Sequence, residues 1–359
     1  MEKILVINPG STSTKIAVFD GESELFRETV EHSDDELAAI PWIMDQLGFR
    51  TECVLNALKR REIAPGDLDC VMARGGMLPP CGAGAYEVND DMVAYMMTMQ
   101  HDAHASNVGC AIANSIARPL GIPAYIYDPV VVDELAPLAR ITGLPDLPKR
   151  SRGHALNSRA MARRCAGEVM QKPLSECTLI VQHIGGGTSV WLFHKGKAID
   201  MYSDDDAGFA PERCGKLQAM PLVKMCFSGG ETFASMAKRV RGNAGFRAHL
   251  GTADMREVER MVNEGNEHAA LIFDAFIYGI AKGIGDLATV VCGKVDRIVL
   301  TGGVAHSQML VGKLRERIEW IAPVVVMAGE HEMEALAMGG LRMMRGQERA
   351  NPFELRIEN

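Results

Sequence analysis

Short apolar runs, closed by glycine or proline, set the pattern of the first third of the chain. Residues 3–8 and 15–20 are two such runs, ended by Pro9-Gly10 and by Gly21. Each reads as a strand, and joined by the Gly/Ser/Thr segment they read as a hairpin. That segment, Gly10, Ser11, Thr12, Ser13 and Thr14, puts several backbone N–H groups and hydroxyls side by side, which is the chemistry of an anion cradle. Apolar spacing predicts helices over 35–48, 52–61, 90–99 and 107–118. Residues 68–73 and 124–127 read as strands. The first runs into Arg74-Gly75-Gly76 and the second ends at Asp128-Pro129. This alternation predicts a mixed α/β first domain.

A Pro- and Gly-rich stretch at 138–147 reads as a boundary, with one domain over 1–147 and a second over 148–359. In the second, a helix over 154–166 precedes a strand at 178–183, the turn Gly185-Gly186-Gly187-Thr188-Ser189 and a return strand at 190–193. Helices follow over 256–265 and 269–291. A strand at 296–300 leads into Thr301-Gly302-Gly303-Val304. Helix 309–320, strand 323–327 and helix 332–345 complete the pattern, the last being a candidate to pack back on the first domain. The strand and turn at 183–188 repeat those at 7–12, so the halves read as diverged copies of one unit, each with a phosphate turn.

Length agrees with two domains, because 359 residues exceed one ordinary core. A net charge of -8 argues against a non-specific grip on nucleic acid or on an anionic membrane. Small molecules are therefore the expected partners. Nine cysteines, an odd number without Cys-x-x-Cys spacing, argue against a disulfide framework or zinc ribbon. The start of the chain reads as a strand without a signal-peptide core. The longest apolar stretch, near 269–281, is too short to span a bilayer and contains Asp274. A cytoplasmic protein is expected.

Three glycine turns follow three apolar strands, after Ile7, Ile184 and Leu300. Glycine lets a backbone approach phosphate oxygens closely and adopt positive φ. None of the Gly-Lys pairs is followed by Ser or Thr, so there is no Walker A loop, and no Gly-x-Gly-x-x-Gly fingerprint is present. The turns imply a phosphate binder of neither common type.

Three runs carry a family likeness: Asn8-Pro9-Gly10-Ser11-Thr12-Ser13-Thr14-Lys15, His183-Ile184-Gly185-Gly186-Gly187-Thr188-Ser189 and Leu300-Thr301-Gly302-Gly303-Val304-Ala305. With Arg74-Gly75-Gly76, His104-Ala105-Ser106-Asn107, Asp128-Pro129, His154-Ala155-Leu156-Asn157, Pro211-Glu212-Arg213 and Glu332-Met333-Glu334, they resemble the butyrate kinases in order along nearly the whole chain. These belong to the acetate kinase group of the superfamily that also holds actin and the sugar kinases. The resemblance implies an α/β fold of two actin-like (ribonuclease H-like) domains with an ATP cleft between them. It implies reversible phosphorylation of a short-chain carboxylic acid, butyrate first and a branched or other short acid next, and a homo-oligomer, a dimer or larger.

It also implies roles. Asn8, Gly10, Ser11, Thr12, Ser13 and Lys15 would form the first phosphate loop. His183, Gly185, Gly186, Gly187 and Thr188 would form the second, and Gly302, Gly303 and Val304 would contact adenosine. Arg74, at a strand end, can hold the acid's carboxylate bidentately, with His104 beside it. Arg213 and His154 would meet the phosphoryl group in flight. Asp128 looks like the catalytic aspartate, and Asn8, Asp128 and Glu332 would hold Mg²⁺. Glu330 competes with Glu332, which fits better because the apolar helix pattern starts directly after it. A carboxylate acceptor is already ionised at neutral pH, so it needs cationic neutralisation rather than a base. A sugar kinase would need that base. A non-catalytic nucleotide sensor would lose Arg74, Asp128 or Arg213, and all three are present. Cys214, where relatives often carry Ser, reads as inert packing or as an oxidisable thiol. Met92, Met96, Met97 and Met99 read as core before substrate wall.

Overall fold

The structure is a computed structural model describing residues 2–98 and 104–353. Met99, at the end of the helix expected over 90–99, lies outside the described residues. The chain forms two compact units, Met1–Asp133 with His331–Asn359, and Glu134–Glu330. The boundary expected at 147 therefore moves back. Residues after 133 are pinned to the second unit: Ala136 N–H donates to the Ile199 carbonyl at 2.8 Å, and Glu134 accepts from the Ala198 N–H at 2.9 Å and pairs with Arg159. Pro and Gly in 138–147 mark a surface loop after the short helix Pro137–Arg140.

The first unit's strands are β1 (Lys3–Pro9), β2 (Ser13–Asp20), β3 (Ser23–Glu31), β4 (Cys70–Arg74), β5 (Ala85–Glu87) and β6 (Ala124–Tyr127). They lie in the order β3-β2-β1-β4-β6-β5. β1, β2 and β3 are an antiparallel meander, and β4 and β6 run parallel to β1. Near-continuous apolar β1 and β4 are what two covered faces require. The helices Leu47–Arg60 and Asn107–Leu120 bury Val54, Leu58, Val108 and Ile112 against Leu5, Ile7, Val71 and Ala73.

The second unit repeats this plan. Its strands β7 (Thr178–Ile184), β8 (Thr188–His194), β9 (Lys197–Ser203), β10 (Arg297–Gly302) and β11 (Val324–Ala328) lie in the order β11-β10-β7-β8-β9. Again three antiparallel strands are extended by parallel ones. The helices Glu267–Val290 and Gln308–Ile318 supply Phe273, Phe276, Ile280 and Leu314 to a core with Ile180, Leu192, Ile298 and Leu300.

The helix expected over 35–48 is instead the single-turn piece Asp34–Ala39, and the next helix starts early, at Leu47. Pro41 explains the break, since it lacks an N–H and disfavours helical geometry in the residue before it. Ser33 and Glu36 close a capping box on the short piece. The strands β3, β5 and β9 carry no uninterrupted apolar run, and the pattern predicts none of them. In β3 only Phe26 is buried. Three short helices, Ala219–Cys226, Phe233–Val240 and Gly245–Leu250, likewise fill a segment where no element is predicted.

The last helix, Glu332–Met344, lies against the sheet of the first unit. Two glycines permit this. A Cβ on Gly339 would stand 2.7 Å from a Tyr127 ring carbon, and one on Gly340 would stand 2.9 Å from Met72 Cγ. Arg342 Nη2 donates to the Tyr127 hydroxyl at 2.7 Å, and Arg345 Nε donates to Glu2 at 3.1 Å. Gly339→Val should overpack this face and lower stability by about 1–3 kcal/mol. Gly312→Ala, on a helix with open space around it, should not destabilise. Thermal denaturation of both variants checks the pair, and an equal effect would sink the close-packing account.

Candidate active-site elements

Parallel pairing in the first unit gathers strand ends. β1, β4 and β6 share a direction, so their C-terminal ends meet at one edge, where α/β sheets bind ligands. Asn8 lies near the end of β1, Arg74 ends β4 opposite Tyr127, and Asp128 follows Tyr127. Glu332 comes from the far end of the chain and opens the last helix. Its Oε2 accepts from Asn8 Nδ2 at 2.8 Å and lies 3.1 Å from Arg74 Nη1. Asn8, Asp128 and Glu332 are all buried, whereas Glu330 is exposed. Arg74 Nε is buried without a hydrogen-bond partner among the described residues. It is a spare donor on a guanidinium otherwise turned to Glu332.

Asp128 holds a left-handed backbone, φ 39°, which a non-glycine residue adopts only when its surroundings fix it. Gly84 fixes it: Asp128 N–H donates to the Gly84 carbonyl at 3.0 Å, and Asp128 Oδ1 accepts from Gly84 N–H at 2.8 Å. The Arg74-Gly75-Gly76 segment presses on the start of helix Asn107–Leu120. Asn107 Oδ1 accepts from Met77 N–H at 2.8 Å, and a Cβ on Gly109 would sit 2.7 Å from the Arg74 carbonyl. His104 precedes that helix, its Nδ1 2.6 Å from Ser106 Oγ.

Oxygens dominate this edge. An amide and two carboxylates suit a hard cation such as Mg²⁺ better than a soft one. Glu332 Oε2 is already shared by Asn8 and Arg74. Among the described residues no group of three His, Cys, Asp or Glu is placed to cage an ion. The donor set fits a cation that keeps most of its waters.

The turn after β1 is braced from inside. Gly10 N–H donates to the Ser13 carbonyl at 2.7 Å, and His32 N–H to the Thr12 carbonyl at 2.8 Å. Arg50, fully buried on the helix Leu47–Arg60, reaches the Ser13 carbonyl at 3.0 Å and Thr14 Oγ1 at 2.9 Å. Ser11 and Thr12 stay exposed, and Lys15 is half-buried opposite Asn8. Sequence reading missed both His32 and Arg50. Neither lies in a glycine motif, and Arg50 sits in a helix pattern where arginine ordinarily faces water.

In the second unit the ends of β7 and β10 lie together, His183 opposite Thr301. Gly302 has φ 90°, and a Cβ on it would stand 2.3 Å from the Ile184 carbonyl oxygen. Only glycine fits there, which packs the turn after β10 against the one after β7. His154, just before the helix Ala155–Arg164, stacks on His183 with ring centroids 3.9 Å apart. Its Nδ1 is 2.9 Å from Ser189 Oγ. Asn157 Nδ2 lies 3.0 Å from His183 Nδ1 and 3.2 Å from Thr301 Oγ1. An amide nitrogen only donates, so His183 Nδ1 accepts and the proton of the neutral ring sits on Nε2, toward Gly185.

Arg213 lies in a loop closed by a pair of bonds between the Ala210 and Arg213 backbones, at 3.1 and 3.3 Å. Its Nε is 3.1 Å from Asp204 Oδ2, an ion pair too poorly aligned to count as a hydrogen bond. A Cβ on Gly187 would stand 2.8 Å from that carboxylate and 3.5 Å from His154 Cε1. His154, Asp204 and Arg213 thus surround the second glycine turn. Burial pushes the Asp204 carboxyl above its usual range, against the pull of Arg241 and Arg213. Asp204 was also missed, because Asp204-Asp205-Asp206 after a strand reads as a solvated turn.

Cys214 N–H donates to the Val240 carbonyl, and burial raises the half-buried thiol above its ordinary value. Little thiolate forms at neutral pH, which favours inert packing. Iodoacetamide at pH 7.5 should label exposed Cys292 well before Cys214, and Cys214 should catch up only as the pH rises. Peptide mass spectrometry checks this; Cys214 labelled first would restore the oxidisable-thiol reading.

Comparisons with known proteins bear on the family and the fold. The family model described as the acetokinase family matches residues 150–332. Butyrate kinase 1 of Clostridium acetobutylicum is 44% identical over 356 residues, 99% of this chain and 100% of that protein. Butyrate kinase 2 of the same organism is 43% identical over 354 residues, 98% of this chain and 99% of that one. Among solved structures, acetate kinase from Porphyromonas gingivalis matches with TM-score 0.78 at 19% identity, over 95% of this chain and 99% of that one. A propionate kinase from Francisella tularensis matches with TM-score 0.74 at 15% identity, over 94% and 98%. These two likenesses show the actin-like fold, in agreement with the two repeated sheets. The near-full-length identity shows more: the chain belongs to the acetokinase family.

Proposed function

We propose that this enzyme transfers the γ-phosphoryl group of ATP to butyrate, reversibly. One carboxylate oxygen forms the new bond to phosphorus, the bond from phosphorus to the ADP oxygen breaks, and ADP leaves as an anion. No proton has to move, because the acid is ionised before it binds.

One observation carries this reading: the carboxylates are engaged, while Arg74 keeps a spare donor. Glu332 is held by Asn8 and Arg74, Asp204 pairs with Arg213, and Asp128 accepts from Gly84. The Nε of Arg74 is buried without a hydrogen-bond partner among the described residues. A hydroxyl acceptor calls for a carboxylate placed as base. An anionic acceptor calls for spare cationic donors.

Arg74 then grips the acid's carboxylate, with His104 beside it. Arg213 and His154 stabilise the charge on the phosphoryl group in transfer. Asn8, Gly10, Ser11, Thr12, Ser13 and Lys15 hold phosphate, as do His183, Gly185, Gly186, Gly187 and Thr188. His183 contributes its Nε2–H, and Gly302, Gly303 and Val304 meet the adenosine. Mg²⁺, held through Asn8, Asp128 and Glu332 with its waters, would neutralise phosphate charge. A homo-oligomer in the cytoplasm completes the proposal.

Hydroxylamine trapping of acyl phosphate across acetate, propionate, butyrate, isobutyrate and valerate should peak at butyrate. A peak at another acid would change the substrate and keep the chemistry, since one methylene shifts discrimination by only about 1–3 kcal/mol. Arg213→Ala should lower kcat by about 10²–10³-fold, the usual loss for a transition-state donor. Arg74→Ala should chiefly raise KM for the acid. Full activity in either variant would remove that residue from its role. Chelation with EDTA should abolish product formation and added Mg²⁺ should restore it; activity that survives chelation would reject the metal assignment.

A further inference from the structure

Among the described residues of the first unit, Arg50 is the one large charged side chain whose burial the roles above leave unexplained. It is fully buried. Its contacts are Gln46 Oε1 at 2.9 Å, the Ser13 carbonyl at 3.0 Å, Thr14 Oγ1 at 2.9 Å and the Ser11 carbonyl at 3.4 Å. All are neutral acceptors. Burial disfavours its charge, and no carboxylate is among the groups acting on it. It also stands in the first turn of the helix Leu47–Arg60, where the helix dipole disfavours a cation. A guanidinium stays protonated even so. The fold therefore keeps a buried positive charge without a counter-charge, directly behind the Gly10–Thr14 turn.

Three carbonyls of that turn are held on the protein side. Ser11 O meets Arg50, Thr12 O accepts from His32 N–H, and Ser13 O accepts from Gly10 N–H and Arg50. In a trans peptide the N–H points opposite to the C=O. The Thr12 N–H, opposite the Ser11 carbonyl, is therefore directed away from Arg50, and the Ser13 N–H, opposite the Thr12 carbonyl, away from His32, in a turn where Ser11 and Thr12 are exposed. This is the arrangement an anion needs: donors toward it and a fixed positive charge behind them.

We propose that Arg50 is a positioning residue for the nucleotide's phosphate chain. It holds the turn's carbonyls inward so that its N–H groups face the phosphate, whose negative charge answers the buried guanidinium. This rests on the kinase reading above.

The test separates phosphate binding from folding. ATP, ADP and adenosine are titrated by calorimetry into wild-type protein, Arg50→Met and Arg50→Lys, with circular dichroism to establish folding. Arg50→Met should bind ATP and ADP about tenfold or more weakly, the scale of a lost charge-assisted contact, with adenosine affinity within about twofold. Arg50→Lys keeps the charge but lacks the fork that reaches both carbonyls, and should fall between. If Arg50→Met does not fold, Arg50→Lys alone decides, on its ratio of ATP to adenosine affinity. A folded variant with an unchanged ratio, or with equal losses for ATP and adenosine, overturns the proposal. Wild-type protein that binds no ATP and makes no acyl hydroxamate would instead bring down the kinase reading, and this inference with it.

Discussion

The parallel pairing of β1 with β4 and β6, repeated in β7 with β10, is the constraint on which the chemistry depends. Parallel strands must all finish at one edge, so residues distant in sequence arrive together without any direct attraction for each other. Asn8 and Arg74 become neighbours because Ile7 stands opposite Ala73. His183 and Thr301 become neighbours for the same reason one unit later. A one-residue slip would turn each side chain to the other face and so misplace Asn8 and His183.

These edges are costly to build. Burying the Arg74–Glu332 pair adds little net stability, because the desolvation of two ions offsets their attraction. Arg50 is buried with neutral partners, and Asp204 is buried deeply enough that its carboxyl is pushed up despite two arginines. The strain at Asp128 lies at the same edge of the first unit as Arg74. Each local cost is held in place by packing that is otherwise close and apolar, such as the last helix lying on Tyr127 and Met72 through Gly339 and Gly340.

Much of this was legible along the chain. The apolar runs of β1, β4, β7, β8 and β10 stand out because both faces are buried, and the three glycine turns stand out because they interrupt such runs. The strands β3, β5 and β9 were not legible, since polar residues or sheer shortness leave them no uninterrupted apolar run. The division of the chain was read too late, at 147 instead of 133, because a Pro/Gly stretch marks a loop and not the unit to which the loop is bonded.

The sequence by itself determined the repeated strand–turn–strand plan and most of the polar residues brought to the strand ends, since turn chemistry and apolar periodicity are local properties. Tertiary structure alone decided that Glu332 meets Asn8 across 324 residues and that Arg50 lies under the first turn instead of in water. Those are long-range contacts of charged side chains. Their placement follows from which helix face the sheets bury, a property of the folded chain and of no single segment in it.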